Sequence, residues 1–187
     1  GLVGSEMCIR DSSKHYFGAP CTIRGLKKRR ILIECTMTDT FKEKTGIQRV
    51  VNQIIYSMAK NCPQDCDIVP VVLRHDYPNT FIFAAGFAKE RFALGVEPSE
   101  FFVQASPGDI LLLPDLNPIL HKENHNFFKR LSRQGIAVWH VIHDIIAITH
   151  PQFFQPGADR EISGWLNDAL DFNQMIAVSH ATKNNVL

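Results

Sequence analysis

The sequence IAVWHVI at 136–142, followed by QMIAV at 174–178, decides the fold class of this chain. Both segments are almost continuously apolar, which is typical of strands buried on both faces of a sheet. Helical spacing around 159–172 separates them, so the three segments predict a β-α-β unit. Two strands joined by such a helical crossover run parallel, and we therefore expect a parallel sheet covered by helices.

The same alternation extends toward the amino terminus. A helix is predicted to start at Thr45, which forms a capping box with Gln48, and to present apolar residues at 47, 50, 51, 54, 55 and 58. A second helix is predicted over 117–134, ending at Gly135. The predicted strands are 31–35, 67–72, 110–113, 136–142 and 174–178.

The predicted fold class is therefore α/β, a Rossmann-like parallel sheet with helices on both faces. Pro70 lacks an N–H group, which favours an edge or a bulge for the second strand. Between 74 and 107 the pattern is weak, and we expect a short strand, a turn and a small helix. The basic run 27–30 is interpreted as a solvated entrance to the first strand.

Composition excludes several classes of protein. The 187 residues are 45% hydrophobic and 21% charged, which is typical of a packed domain and not of a disordered chain. A formal net charge of +1 makes nucleic acid a poor candidate partner. The longest apolar runs, such as 110–113 and 145–148, are too short to cross a bilayer.

The five cysteines are an odd number without a preceding secretory segment, which favours a reduced, cytoplasmic setting. Cys62 and Cys66 form a C-x3-C pair, but no second pair follows at zinc-site spacing, and we expect no metal there. Residues 1–12 show no structural period and resemble translated sequencing-adapter read-through. The expected organisation is this foreign segment, a loose lead over 13–29, and a single domain over 30–187.

Ligands of open α/β sheets bind at the carboxyl ends of the strands, and these ends hold the candidate site residues. Gly46 and Ser179 begin helices just after strands, where exposed N–H groups favour an anion, although most capped helices bind nothing. The residues expected at this edge are Thr36–Gly46, Pro114–Asn117, His143–Asp144 and Ser179–His180.

Several fingerprints are absent. The sequence contains no G-x-G-x-x-G, no G-x-x-x-x-G-K-[ST] and no G-x-S-x-G, which argues against a dinucleotide enzyme, a P-loop enzyme and an α/β-hydrolase. His121 and His125 lie four residues apart on a predicted helix but match neither H-E-x-x-H nor H-x-x-E-H, so we expect a solvated helix face. His140 and His143 lie three apart in a strand segment and face opposite sides.

His143 ends the central strand where the chain enters the cleft, so two roles stay open for it: a structural residue, or a ligand-binding or acid–base group. Four motifs then occur in a characteristic order: TGIQRV at 45–50, GDILL at 108–112, HDII with HPQFF at 143–154, and IAVSHAT at 176–182. In this order and spacing the chain resembles the amino-terminal half of retaining glycosyltransferases of family 4.

The resemblance implies a GT-B enzyme, in which two Rossmann-like domains face each other across a cleft. It implies that the loop at Thr45 and Gly46 approaches the donor phosphates and the acceptor, and that His143 lies beside the reacting sugar. Asp144 and Ser179 are candidate cleft-lining residues. No metal or other cofactor is expected, since such enzymes stabilise the leaving diphosphate with helix dipoles and basic side chains.

The resemblance also implies partners and a context. We expect a nucleotide-sugar donor, held by a carboxy-terminal domain that would follow Leu187, and a glycan or lipid-linked acceptor. The implied enzyme is a hexosyltransferase, with mannosyltransferase among the options, acting in polysaccharide biosynthesis in the cytoplasm or peripherally at the inner membrane face. The chain by itself is not expected to catalyse. The alternative hypothesis is a non-catalytic Rossmann-like binding module.

Overall fold

The computed structural model describes residues 28–40, 46–92, 102–172 and 174–186, which form a seven-stranded sheet with helices packed against it. The strands are β1 (Arg29–Glu34), β2 (Cys66–Arg74), β3 (Tyr77–Phe83), β4 (Phe102–Val103), β5 (Ile110–Leu113), β6 (Ala137–Ile142) and β7 (Gln174–Ala177). The helices are α1 (Thr36–Thr40), α2 (Gly46–Lys60), α3 (Ala85–Phe92), α4 (Pro118–Arg133), α5 (Ile146–Thr149), α6 (Ala158–Leu170) and α7 (His180–Val186), with a 3-10 turn at Pro151–Phe153.

The sheet order is β4-β3-β2-β1-β5-β6-β7. The pairs β1–β2, β1–β5, β5–β6 and β6–β7 are all parallel, so the five strands predicted from the sequence are confirmed together with their direction. β3 and β4 extend the sheet in antiparallel pairing and come from the stretch whose pattern was weak. The predicted α/β, Rossmann-like class is confirmed, and the sheet is mixed because β3 and β4 add two antiparallel strands to the five parallel ones.

Apolar residues alternate between the two faces of β1 and fill two separate cores. Leu32 packs on the side of α4, in a core that includes Phe127 and Phe128. Ile33 packs on the other side, against Val51 of α2. Helices therefore cover both faces of the sheet, as a parallel sheet requires.

Local signals place the ends of α4. The side chain of Asn117 accepts a hydrogen bond from the N–H of Leu120 at 3.1 Å and caps the helix, and Pro118 follows in the first turn. Gly135, with φ +86°, comes just after the end of the helix, where the left-handed conformation favours glycine. Thr45, the predicted cap of α2, lies outside the described residues.

Pro70 shows why a proline is tolerated inside this sheet. β2 lies between β1 and β3, so it is not an edge strand, whereas the bulge alternative agrees with the irregular pairing to β3 between Val72 and Arg74. The ladder to β3 ends at this residue: the carbonyl of Pro70 accepts from the N–H of Ala84, at 3.0 Å, and proline has no N–H to return.

The basic run 27–30 was predicted to be solvated, but its last residue, Arg30, is largely buried. Its side chain is 13% exposed, and its guanidinium forms a two-pronged ion pair with Asp109 on the neighbouring segment. It also donates to the carbonyl of Gln104 at 2.8 Å and contacts the hydroxyl of Ser106 at 3.2 Å. This arginine ties β1 to the turn that precedes β5.

Two expectations concern the chain as a whole. Across the described ranges, no helix has both the length and the apolar character that a membrane crossing requires. The adapter-like segment 1–12 and most of the lead over 13–29 lie outside the described residues, so these domain boundaries stay predictions.

We expect Asp109→Asn to lower the free energy of unfolding by about 3 kcal/mol, because it leaves the largely buried Arg30 charge without its partner. Urea unfolding measures this change. Asp67→Asn is the matched control, since Asp67 pairs at 3.7 Å with the more exposed Lys28 and should cost less than about 1 kcal/mol. Equal costs for the two variants would contradict the structural importance of the Arg30–Asp109 pair.

Candidate functional site

β1 has β2 on one side and β5 on the other, and the chain enters these two neighbouring strands through different connections. The segment after β1 leads through α2 to β2 on one side, whereas β5 lies on the other side and continues through α4 to β6. Open α/β sheets bind ligands where the strand order reverses in this way. We call the segments 34–40 and 114–117, which follow the two strands, the switch-point edge.

Asp115 joins the two sides of the switch-point edge. The N–H of Thr38 donates to its Oδ2 at 3.0 Å, and the hydroxyl of Thr38 donates to its Oδ1 at 2.8 Å. Asp115 is 5% exposed and Thr38 is 3% exposed. Both carboxylate oxygens therefore have partners, and the first residues of α1 are held against the end of β5.

His143 lies beside this pair, at the end of β6. Its Nε2 is 2.7 Å from the carbonyl oxygen of Pro114, and because a carbonyl only accepts, Nε2 carries the hydrogen. Nδ1 forms no hydrogen bond with any described residue. The ring is 8% exposed. In the neutral ring Nδ1 thus keeps a lone pair that can accept a hydrogen bond from a ligand.

The start of α7 supports the backbone of His143. The hydroxyl of Thr182 donates to the carbonyl oxygen of His143 at 2.9 Å, and the N–H of Thr182 donates to Oγ of Ser179 at 3.0 Å. Because the hydrogen of the Thr182 hydroxyl is already used, the hydroxyl of Ser179, 3.0 Å away, donates to it. Ser179 caps α7, and through Thr182 it holds the end of β6.

Asp144 has a local contact. Its Oδ1 accepts from the N–H of Ile146 at 3.1 Å, an arrangement that begins α5. The hydrogen bond of His143 goes to the neighbouring segment at Pro114, so His143 joins two strand ends and does not tie down its own turn through Asp144.

Glu34 is the most perturbed carboxyl group at the switch-point edge. Its side chain is buried, with 2% of the residue exposed, and its Oε1 accepts from the N–H of Thr36 at 2.7 Å. Burial, and then repulsion by Asp115, raise the pKa of Glu34 from 4.5 to about 7. Burial also raises the pKa of Asp115. Burial and the neighbouring carboxylate therefore favour the protonated form of Glu34 up to near neutral pH.

The sequence-predicted site residues divide into two groups. His143 and Pro114 meet directly, and Ser179 reaches them through Thr182. Gly46 begins α2 and is exposed, with no described atom within 4 Å of the position that a Cβ would take. Thr45 lies outside the described residues.

Sequence reasoning missed Glu34 as a site residue and named Asp115 only within a range. Glu34 ends an otherwise apolar run, Ile31–Ile33, and a single acidic residue at that position is the signal that was available. Charged residues are rarely fully buried without partners, so a charge at the end of a buried strand marks a polar environment.

The solvated face expected for His121 and His125 is wrong. His121 is 4% exposed, and its Nε2 lies 2.7 Å from Nε2 of His140, which is completely buried. Burial lowers the pKa of His121 to about 4 and that of His140 to about 3, so both rings are neutral at pH 7. The side chain of His125 is 16% exposed.

Comparison with curated proteins gives one kind of relative. Over 163 residues the chain is 25% identical to a serotype-specific mannosyltransferase WbdA of Escherichia coli, and 24% identical to two further proteins of that name and species. The alignments cover 84% of this chain but 19% of each relative, so the chain spans under a fifth of their length. No protein-family model matches the chain, and no solved structure matches it significantly. This distant similarity supports a glycosyltransferase-like role.

We expect the free energy of unfolding to fall as the pH rises from about 4.5 to 7, because folding raises the pKa of Glu34 and the folded chain keeps a proton that the unfolded chain releases. Above pH 7 the loss of folding free energy caused by Glu34 reaches its full value of about 3 kcal/mol. Glu34→Gln removes it, so this variant should lose less stability than the parent between pH 5 and 8 in urea unfolding.

Glu161→Gln is the control for this experiment, since Glu161 is an exposed carboxyl group on α6. It should leave the pH dependence unchanged. A Glu34→Gln variant whose stability follows the same pH curve as the parent would contradict the buried, proton-retaining state of Glu34.

Proposed function

We propose that this chain is the acceptor-side domain of a retaining glycosyltransferase with the GT-B arrangement. It transfers a sugar from a nucleotide-sugar donor to a glycan or lipid-linked acceptor. The donor nucleotide is held by a second domain, which belongs to the complete protein. The distant similarity to serotype-specific mannosyltransferases, over 84% of the chain, supports this proposal and favours mannose as the sugar.

The main support for the proposal is the hydrogen bonding of the His143 ring at the switch-point edge. Its Nε2 is bonded to Pro114, so the ring is held in one orientation, and Nδ1 is left for a ligand. A purely structural histidine needs only the first of these features. The lone pair of Nδ1 accepts a hydrogen bond from a donor-sugar hydroxyl, and its partial negative charge offsets the positive charge that develops at the reacting carbon.

Asp115, which interacts electrostatically with His143, and Glu34 beside it add buried carboxyl groups to this environment. Asp115 is held by Thr38, and its negative charge favours the positive charge that develops at the reacting carbon of the donor sugar. Glu34 is 2% exposed, and burial raises its pKa to about 7, so its protonated form adds no second negative charge beside Asp115.

The start of α2 serves the donor phosphates in this proposal. α2 is 15 residues long, and its amino-terminal dipole favours an anion at Gly46. Helix dipoles and basic side chains of the second domain stabilise the leaving diphosphate, so the transfer step needs no metal. The reaction takes place in the cytoplasm, with peripheral contact at the inner membrane face when the acceptor is lipid-linked.

We expect His143→Ala to lower kcat of the complete enzyme about 100-fold or more, because one well-placed electrostatic group typically contributes about 3 kcal/mol to the transition state. His143→Gln is the more informative variant. Its amide N–H can keep the hydrogen bond to Pro114, but its acceptor, the amide oxygen, does not lie at the position of the Nδ1 lone pair. It should fold like the parent and lose nearly as much turnover, as measured with a nucleotide-activated mannose and a glycan acceptor.

Recovery of activity in His143→Gln would instead assign a structural role to His143. His75→Gln is the histidine control, since the side chain of His75 is 86% exposed, and it should retain full turnover. His140 is unsuitable as a control, because it is completely buried against His121. If the complete protein binds glycans but transfers no sugar from any nucleotide-sugar donor, this result would favour the alternative of a non-catalytic binding module.

We expect Gly46→Val to raise KM for the nucleotide-sugar at least about tenfold, because the new side chain occupies space that the donor phosphates approach. No described atom lies within 4 Å of the added Cβ, so the variant should unfold at the parent temperature. Steady-state kinetics and thermal unfolding measure the two effects. An unchanged KM would remove Gly46 from the donor site.

A further inference from the structure

A second group of polar side chains lies away from the switch-point edge, between α4 and α6. One ligand atom from each of His121, His125 and Asp168 lies within 4.8 Å of the other two. The two histidines are four residues apart and therefore neighbours on one face of α4, and Asp168 comes from α6, which packs against that face.

The unused atoms of this group point to a ligand. The Nε2 atoms are already engaged: that of His121 with His140 at 2.7 Å, and that of His125 with Asp171 at 2.9 Å. The Nδ1 atoms of His121 and His125 are both buried and have no hydrogen-bond partner in the described part of the chain. Buried polar atoms without a partner are uncommon, and two of them occur here in one cluster.

We propose that His121, His125 and Asp168 bind a divalent zinc ion, with Nδ1 of each histidine and one carboxylate oxygen as ligands. Two imidazoles and a carboxylate suit zinc better than magnesium or calcium, which prefer oxygen ligands. Water completes the tetrahedral coordination. The ion joins α4 to α6 and stabilises the helical layer on this face of the sheet.

The surroundings of the ligands resemble those of metal-bound histidines in general. A histidine that binds a metal through one nitrogen usually donates its other N–H to a carboxylate or another acceptor, which fixes the ring. His125 has this arrangement with Asp171, which Lys129 also contacts at 2.7 Å. Phe172 and Phe128 pack against the rings, with centroid distances of 5.7 Å to His125 and 5.5 Å to His121. These rings limit the access of water.

Only small movements are needed to form the site. Zinc–nitrogen and zinc–oxygen bonds are about 2.0–2.2 Å long, so two ligand atoms at a tetrahedral angle lie about 3.4 Å apart. One ligand atom of each residue already lies within 4.8 Å of the other two, and rotation of the partly exposed Asp168 side chain can shorten its distances to the histidines further.

The test is a zinc titration of the 187-residue chain by calorimetry, after removal of bound metal with a chelator. We expect one zinc ion per chain, and at a hundredfold excess over its dissociation constant a rise of about 5–10 °C in the unfolding temperature. Asp168→Asn keeps the size of the side chain and should weaken zinc binding at least about tenfold. His125→Gln should do the same.

Two controls separate this site from others in the chain. Asp159→Asn, on the same helix α6, and His75→Gln, outside the cluster, should bind zinc like the parent. Equal affinity in all variants would mean an adventitious ion only and would overturn the proposal, as would the absence of stoichiometric binding to the parent. Circular dichroism in the metal-free state establishes that Asp168→Asn is folded. The result is independent of sugar transfer.

Discussion

The pairing of β1 with neighbours on both sides is the constraint on which the rest of the structure depends. β2 and β5 both run parallel to β1, yet the chain reaches them by different routes, so the segments that follow β1 and β5 diverge. Backbone groups beyond the point of divergence lose the ladder and need other partners. Side chains provide them: Thr36 accepts from the N–H of Leu73 at 2.9 Å, and His143 donates to the carbonyl of Pro114.

The same constraint explains why polar groups collect at one edge. A side chain that satisfies a backbone group inside a sheet edge is itself buried, as Asp115, Thr38 and His143 are. Burial perturbs acidic groups, and at Glu34 it moves the pKa to about 7. Completion of the sheet and the gathering of buried polar groups at one edge are therefore two consequences of one topology. The two roles of His143 differ only in whether Nδ1 also meets a ligand.

The histidines of this chain illustrate how position decides chemistry. His143 lies at a strand end, where one ring nitrogen is hydrogen-bonded to Pro114 and the other has no hydrogen bond to a described residue. His140, three residues earlier, points into the core on the α4 side, where its Nε2 meets His121. One short segment of β6 therefore contributes to two separate polar clusters. The first lies at the switch-point edge, and the second lies between the sheet and its helical layer.

The sequence by itself determined five strands, their parallel direction and the helices α2, α4 and α6 between them, because hydrophobic period and helical crossovers are local signals. It also determined the strand ends at which His143 and Ser179 lie. Only the tertiary structure decided that Arg30 is paired with Asp109, that Glu34 is buried near Asp115, and that His121 meets His140. These pairs join residues 19 to 81 positions apart in the chain. Their partners depend on how strands are ordered and helices packed, and no local pattern carries that information.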